Sequence, residues 1–144
     1  MPAESGTQYT MNTLRILETS LYAEDLEQAE KFYTKVLGLQ LFAREPGRHL
    51  FFKCCNQMLL IFAPSKTIAQ TELAPHGAQG PGHVAFAVPD SELDTWATRL
   101  SDCGISIEKI LSWPRGGRSV YFRDPAGNSL ELASPKIWGI EEAH

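Results

Sequence analysis

Residues 17–25 read LETSLYAED, and residues 82–90 read GHVAFAVPD. Each is a short apolar strand running into an Asp. Each also carries an ionisable side chain seven residues before that Asp, Glu18 before Asp25 and His83 before Asp90. An amphipathic stretch ended by glycine follows each Asp, at Gly38 and at Gly104. The spacing predicts an internal repeat that puts a carboxylate and an imidazole at equivalent places.

In the first copy Asp25, with Gln28 three residues on, forms a capping box. Leu26, Ala29, Phe32, Tyr33, Val36 and Leu37 then recur at helical spacing. Strands are expected at 14–22, 39–43, 49–54 and 58–63, with turns at Pro46-Gly47 and Asn56-Gln57. In the second copy Pro89-Asp90 opens a helix with the stripe Leu93, Trp96, Ala97, Leu100 and Cys103. Strands are expected at 82–88, 105–111, 119–123 and 129–133.

The chain thus divides into a polar leader (1–12), a first βαβββ module (13–64), a linker rich in Pro, Gly and Ala (65–81), a second βαβββ module (82–134) and a short tail (135–144). Residues 13–144 are expected to form one structural domain of the α+β class. A helix covers one face of each twisted sheet, so the other face must meet a second module or enclose a cavity. Two such modules make a half-open barrel with the helices outside.

Strand alternation sorts the side chains. Val84, Phe86 and Val88 lie toward the helix, and His83, Ala85 and Ala87 lie away from it. Leu130 and Leu132 are likewise core, with Ser129, Glu131 and Ala133 opposite. Val120 and Phe122 separate in the same way from Ser119, Tyr121 and Arg123. The ionisable candidates Glu18, His83 and Glu131 all fall on the side away from the helices. One imidazole and two carboxylates suit a hard or borderline divalent ion, Mn, Ni, Fe or Zn, with positions left for water or substrate oxygens. His49, alternating with Phe51 and Lys53, is a candidate for moving a proton. Arg118, beside the cavity strand, is the best of the arginines for clamping an anionic group.

Bulk properties narrow the classes. The chain has 144 residues, 43% hydrophobic and 21% charged, enough for a sizeable core. A net charge of −4 gives no footprint for nucleic acid. No apolar run approaches the ~20 residues of a membrane span, and MPAESGTQYTMN lacks the regions of a signal peptide. Met11 is an alternative start. Cys54, Cys55 and Cys103 fit neither a zinc spacing nor a disulfide framework. A reducing cytoplasm is the expectation.

Segments 17–39 (LETSLYAEDLEQAEKFYTKVLGL), 82–88 (GHVAFAV) and 120–132 (VYFRDPAGNSLEL) resemble the vicinal oxygen chelate superfamily. It includes glyoxalase I, fosfomycin-resistance thiol transferases, methylmalonyl-CoA epimerase, extradiol dioxygenases and bleomycin-resistance proteins. The resemblance spans residues 14–134. It implies a metal-dependent enzyme (isomerase, lyase, transferase or dioxygenase) acting on a small molecule with vicinal oxygens. It also implies metal ligands at Glu18, His83 and Glu131, Glu131 as a catalytic residue, and a homodimer with shared active sites. Ser119 and Tyr121 match positions that line the antibiotic's anionic group in the fosfomycin-resistance type.

Two departures stand out. Glu18 occupies a place where His is common. The fourth ligand of ordinary glyoxalase I, a Glu, falls here at Ile61 or an apolar neighbour. The alternative function within the resemblance is metal-free sequestration of a planar or cationic ligand, as in bleomycin-resistance proteins.

Overall fold

The computed structural model describes residues 14–142. The expected leader at 1–12, with Met11, lies outside the described residues, as does His144. The first module runs β1 (Glu18–Tyr22), α1 (Leu26–Lys35), β2 (Gln40–Glu45), β3 (His49–Cys54) and β4 (Gln57–Phe62). A short helix α2 (Pro64–Ile68) follows. The second module runs β5 (His83–Ala87), α3 (Leu93–Asp102), β6 (Lys109–Ser112), β7 (Arg118–Arg123) and β8 (Ser129–Ala133), and a 3₁₀ turn at Pro135–Trp138 closes the chain. The strand orders are β1-β4-β3-β2 and β5-β8-β7-β6. In each sheet the first strand pairs parallel to the last, and the other pairs are antiparallel. The fold is α+β, two βαβββ modules whose sheets do not close into a barrel.

The two copies start their helices differently. The Asp25 carboxylate accepts from the Gln28 N–H at 3.1 Å, so it caps α1. Asp90 instead sits in a 3₁₀ turn, Asp90–Glu92, ahead of α3, and its side chain caps nothing. Its Oδ1 accepts from Ser134 Oγ at 2.6 Å, which ties the start of α3 to the end of β8. The expected strand at 105–111 begins only at Lys109. The Ile105 N–H is already spent on Leu100 O at the helix end. The connector also holds more order than its composition suggests, because Pro64 occupies the first turn of α2, where a missing N–H costs nothing.

One core serves both modules. From the first it takes Leu21, Phe32, Tyr33, Leu50, Phe52, Leu59 and Ile61; from the second it takes Leu93, Leu100, Val120, Phe122, Leu130 and Leu132. The helix residues among these meet the helix-side positions of the strands. Phe32 of α1 reaches Phe122 of β7 with ring centroids 6.3 Å apart, and Arg99 Nε of α3 donates to Val36 O at 2.8 Å. The deepest polar link is Tyr33 Oη, which donates to Asp124 Oδ2 at 2.7 Å across the module boundary. Burial first, and then the Asp124 charge, push the Tyr33 phenol far above its ordinary range. With the helix-side faces joined in this core, the opposite faces of both sheets carry Glu18 on one and His83 with Glu131 on the other. No helix among the described residues is long and apolar enough to cross a membrane.

Candidate metal centre

The parallel pairing of β5 with β8 builds the centre. In register, His83 lies opposite Ser129 and Ala85 opposite Glu131. His83 and Glu131 are therefore diagonal neighbours on one face, with the small Ala85 between them. His83 Nε2 stands 3.2 Å from Glu131 Oε1, the imidazole half exposed and the carboxylate almost wholly buried.

Each side chain is held from behind. His83 Nδ1 lies 2.9 Å from Ser129 O. A carbonyl only accepts, so Nδ1 carries the proton and Nε2 is the nitrogen turned to Glu131. Such a backbone contact is how ligand imidazoles are commonly oriented. Ser119 Oγ donates to Glu131 Oε2 at 2.5 Å, and Trp113 Nε1 donates to Ser119 Oγ at 2.8 Å. One carboxylate oxygen is thus occupied and the other left facing the imidazole. A nitrogen and an oxygen 3.2 Å apart fit two ligands at ~2.0–2.2 Å from one ion. Tyr121 lies beside them, its ring centroid 6.5 Å from that of His83. Burial, followed by the Glu131 charge, raises its phenol above the ordinary value, so its proton is held.

Glu18 is on the other sheet. It is exposed and pairs in register with Met58 of β4. Among the described residues no group of three His, Cys, Asp or Glu side chains is placed to hold an ion. One chain therefore brings two of the three candidate residues together, His83 and Glu131, and Glu18 stands apart from them. The register also selects, between Ile61 and its apolar neighbours, the residue at the fourth-ligand position. Ser20 pairs with Leu60 as Ala85 pairs with Glu131, so the counterpart of Glu131 is Leu60, while Ile61 points into the core.

The remaining candidates separate clearly. Ser119 is fully buried; its hydroxyl donates to Glu131 and accepts from Trp113, so it orients the carboxylate from behind. Arg118 corrects the sequence expectation. It shares the face of Val120 and Phe122, its Nη1 donates to Asp94 Oδ1 at 2.8 Å, and its Nη2 donates to Asp90 O at 3.3 Å. It clamps the start of α3 because alternation along β7 turns it away from Glu131.

His49 lies on the sheet that carries Glu18, stacked on Phe51 at 3.9 Å between centroids. Arg48 Nη1 lies 2.6 Å from His49 Nδ1. A guanidinium only donates, so Nδ1 accepts and Nε2 keeps the proton. Burial, then the Arg48 charge, lower its pKa from 6.5, with Glu45 opposing. A group depressed in the folded state adds stability above its unfolded pKa and loses it as pH falls through the folded value. His49 is thus expected to titrate below the ordinary imidazole range in a two-dimensional NMR titration, and Arg48→Gln to move it upward. Titration at the ordinary value in both proteins would show that the pair has no effect on the ring.

Two residues have partners that the sequence did not indicate. Trp113 carries no periodicity that marks it as the support of Ser119. His76, in the connector, stands with Nδ1 2.6 Å from Tyr22 Oη and its ring against Phe62 at 4.8 Å. Only the return of the connector over β1 and β4 brings it there.

The sequence model of the Glyoxalase/Bleomycin resistance protein/Dioxygenase superfamily matches residues 15–132. The chain belongs to this superfamily. The crystal structure of lactoylglutathione lyase from Agrobacterium tumefaciens is 45% identical, with a TM-score of 0.86, and the match covers 90% of this chain and 100% of that one. The metallothiol transferase FosB of Bacillus licheniformis is 29% identical over 115 residues, covering 79% of this chain and 71% of its own length. A putative ring-cleaving dioxygenase of Bacillus subtilis, MhqE, is 31% identical over 141 residues, 92% of this chain but 45% of that protein. Relatives in this superfamily are thus enzymes of several reaction classes.

Proposed function

We propose that the protein is a metal-dependent, glyoxalase-like enzyme that binds a small substrate through two neighbouring oxygens at a divalent ion. The observation carrying this reading is the His83–Glu131 pair, 3.2 Å apart, with the far side of each residue fixed by a hydrogen bond. His83 Nε2 and Glu131 Oε1 would hold the ion, which is Mn, Ni, Fe or Zn by the hardness of this donor set. When bound, the ion supplies positive charge that stabilises developing negative charge on substrate oxygens. Glu18 from a second copy completes the ligands, because one chain leaves its sheet faces unjoined while its core is already full. The active site is then shared across a homodimer.

The chain's own residues divide the remaining work. Glu131 is the better candidate for moving a substrate proton, since the Nε2 of His49 already bears a hydrogen. His49, brought by the second copy with Glu18, donates a hydrogen bond. The Tyr121 phenol, with its proton held, donates to a substrate oxygen. Similarity to the Agrobacterium enzyme favours lyase or isomerase chemistry among the superfamily's reactions, and Leu60 in place of a fourth carboxylate leaves more of the ion open to substrate.

Mixing variants tests the sharing. Glu18→Ala and His83→Ala homodimers each lack a ligand in both sites. A heterodimer of the two concentrates both lesions in one site and leaves the other whole, so native mass spectrometry after metal loading is expected to find one ion per heterodimer. If heterodimers form and stay empty, each chain builds its own site and the shared reading fails. If the unaltered protein takes up none of these metals, metal-free ligand sequestration replaces the enzyme reading.

A further inference from the structure

The tail folds back on the β6–β7 hairpin to form a half-open cavity of about 540 Å³, lined by Trp113, Pro114, Arg115, Lys136, Ile137 and Trp138. Its walls are set by backbone fit. Gly117 has φ +86, and a methyl there would lie 2.6 Å from Ile137 Cγ2 and 3.2 Å from Ile137 N. Only glycine lets the Pro135–Trp138 turn seat this closely. The Ser134 N–H donates to Arg118 O at 3.1 Å, and Ser134 Oγ donates to Asp90 Oδ1 at 2.6 Å, which fixes the root of the tail. On the hairpin side the Trp113 N–H donates to Gly117 O at 3.0 Å.

What this frame presents is two indoles and two cations. Trp138 is 80% exposed and Trp113 38%. Arg115 makes no ion pair among the described residues, and Lys136 has only a distant one, 3.9 Å from Asp90. Trp113 belongs to two structures at once. It forms one wall of the cavity, and its Nε1 begins the hydrogen-bond chain through Ser119 to Glu131.

We propose that this cavity holds the remote arm of the substrate, a flat apolar body carrying a carboxylate. The reacting oxygens of the same molecule lie at His83 and Glu131. The indoles supply flat faces for stacking, and the Arg115 guanidinium supplies the fork that pairs with a carboxylate. The assignment of this ligand as a substrate arm rests on the metal-enzyme reading above, while the binding chemistry of the cavity does not need a metal.

The test uses the whole chain in excess chelator, titrated with 2-naphthoate and with its neutral counterpart 2-naphthylmethanol, and read by tryptophan quenching and calorimetry. Naphthoate is expected to bind at least ~10-fold more tightly than the alcohol, as a charge-assisted pair allows. Arg115→Gln removes that preference and leaves the alcohol unchanged, whereas Trp138→Ala weakens both. Equal affinities for the two probes, or a preference that survives Arg115→Gln, overturns the proposal. So does a sedimentation result in which Trp138→Ala converts a dimer to monomers and naphthoate binds neither protein, because the indoles are then covered by a second copy. Metal uptake is measured on the same preparations. Loss of naphthoate binding with metal uptake intact removes this inference alone, and the reverse removes only the metal reading.

Discussion

Glu131→Gln is expected to fold normally and to bind divalent metal more than ~100-fold more weakly than the unaltered protein, since even partners behind a ligand are worth ~10–100-fold. The substitution keeps shape and volume. The amide oxygen can still accept from Ser119, so the buried hydroxyl keeps its partner. The group turned to His83 then becomes an NH₂, which donates hydrogen bonds and cannot ligate. Truncation to Ala would leave Ser119 without its acceptor in a position that is fully buried, and a loss of metal would be confused with a loss of structure. Calorimetric titration with Mn²⁺ or Ni²⁺, alongside urea melts of both proteins, separates the two effects. Ser119→Ala, which frees the carboxylate to turn, should fall between the unaltered protein and Glu131→Gln. Metal uptake by Glu131→Gln equal to that of the unaltered protein would remove Glu131 from the ligand set.

Asp124→Ala is expected to destabilise the fold by roughly 3 kcal/mol or more, on the principle that each buried polar group left without a partner costs ~1–3 kcal/mol. Four donors converge on this carboxylate: Tyr33 Oη at 2.7 Å, Asn128 N at 2.8 Å, Asn128 Nδ2 at 2.9 Å and Ala126 N at 3.0 Å. Tyr33 is completely buried and Asn128 nearly so, which limits rescue by water. Asn128 also reaches the first module and the residue just before β5. Its Nδ2 donates to Tyr22 O at 3.1 Å, and its Oδ1 accepts from the Gly82 N–H at 2.7 Å. The loop between β7 and β8 therefore fastens α1, β1 and the start of β5 together, and its loss is felt by both modules. Against a total stability of ~5–15 kcal/mol for an ordinary domain, the change is large. The urea midpoint is the measurement, with Tyr33→Phe and the double variant completing a cycle. A shift of less than about 1 kcal/mol would mean that water replaces the carboxylate and that the convergence is incidental.

Two strands show where sequence reasoning reaches. β3 and β8 begin and end where the alternation of HLFFKC and SLELA places them, and Gly38 and Gly104 do have positive φ after their helices. The side of the sheet on which His83 and Glu131 lie also followed from alternation, because the period of a strand is fixed by backbone geometry. Local pattern failed where a distant partner competed for the same group. Asp90 resembles Asp25 in sequence, yet Ser134, 44 residues on, takes its carboxylate. Arg118 stands next to Ser119 in the chain and on the opposite face in the sheet, and Asp90 and Asp94 hold it there. Ser119 reads in the sequence as a substrate-facing hydroxyl, and only the fold shows that it joins Trp113 to Glu131.

The repeat of Glu18 and His83 before Asp25 and Asp90 was enough, by itself, to establish two βαβββ modules and a polar face on each. Those properties depend on period, caps and turns, which act over a few residues. Whether the two polar faces meet depends on how the modules dock, and the tertiary structure decided that. The chain buries the helix-side faces of both modules in a single core, joined through Tyr33 and Asp124. It pairs His83 with Glu131 and leaves Glu18 on a separate sheet. Packing of apolar faces is non-directional and roughly proportional to area. No local pattern of residues specifies which two faces are joined, and so the sequence could supply the candidate ligands but not their placement relative to one another.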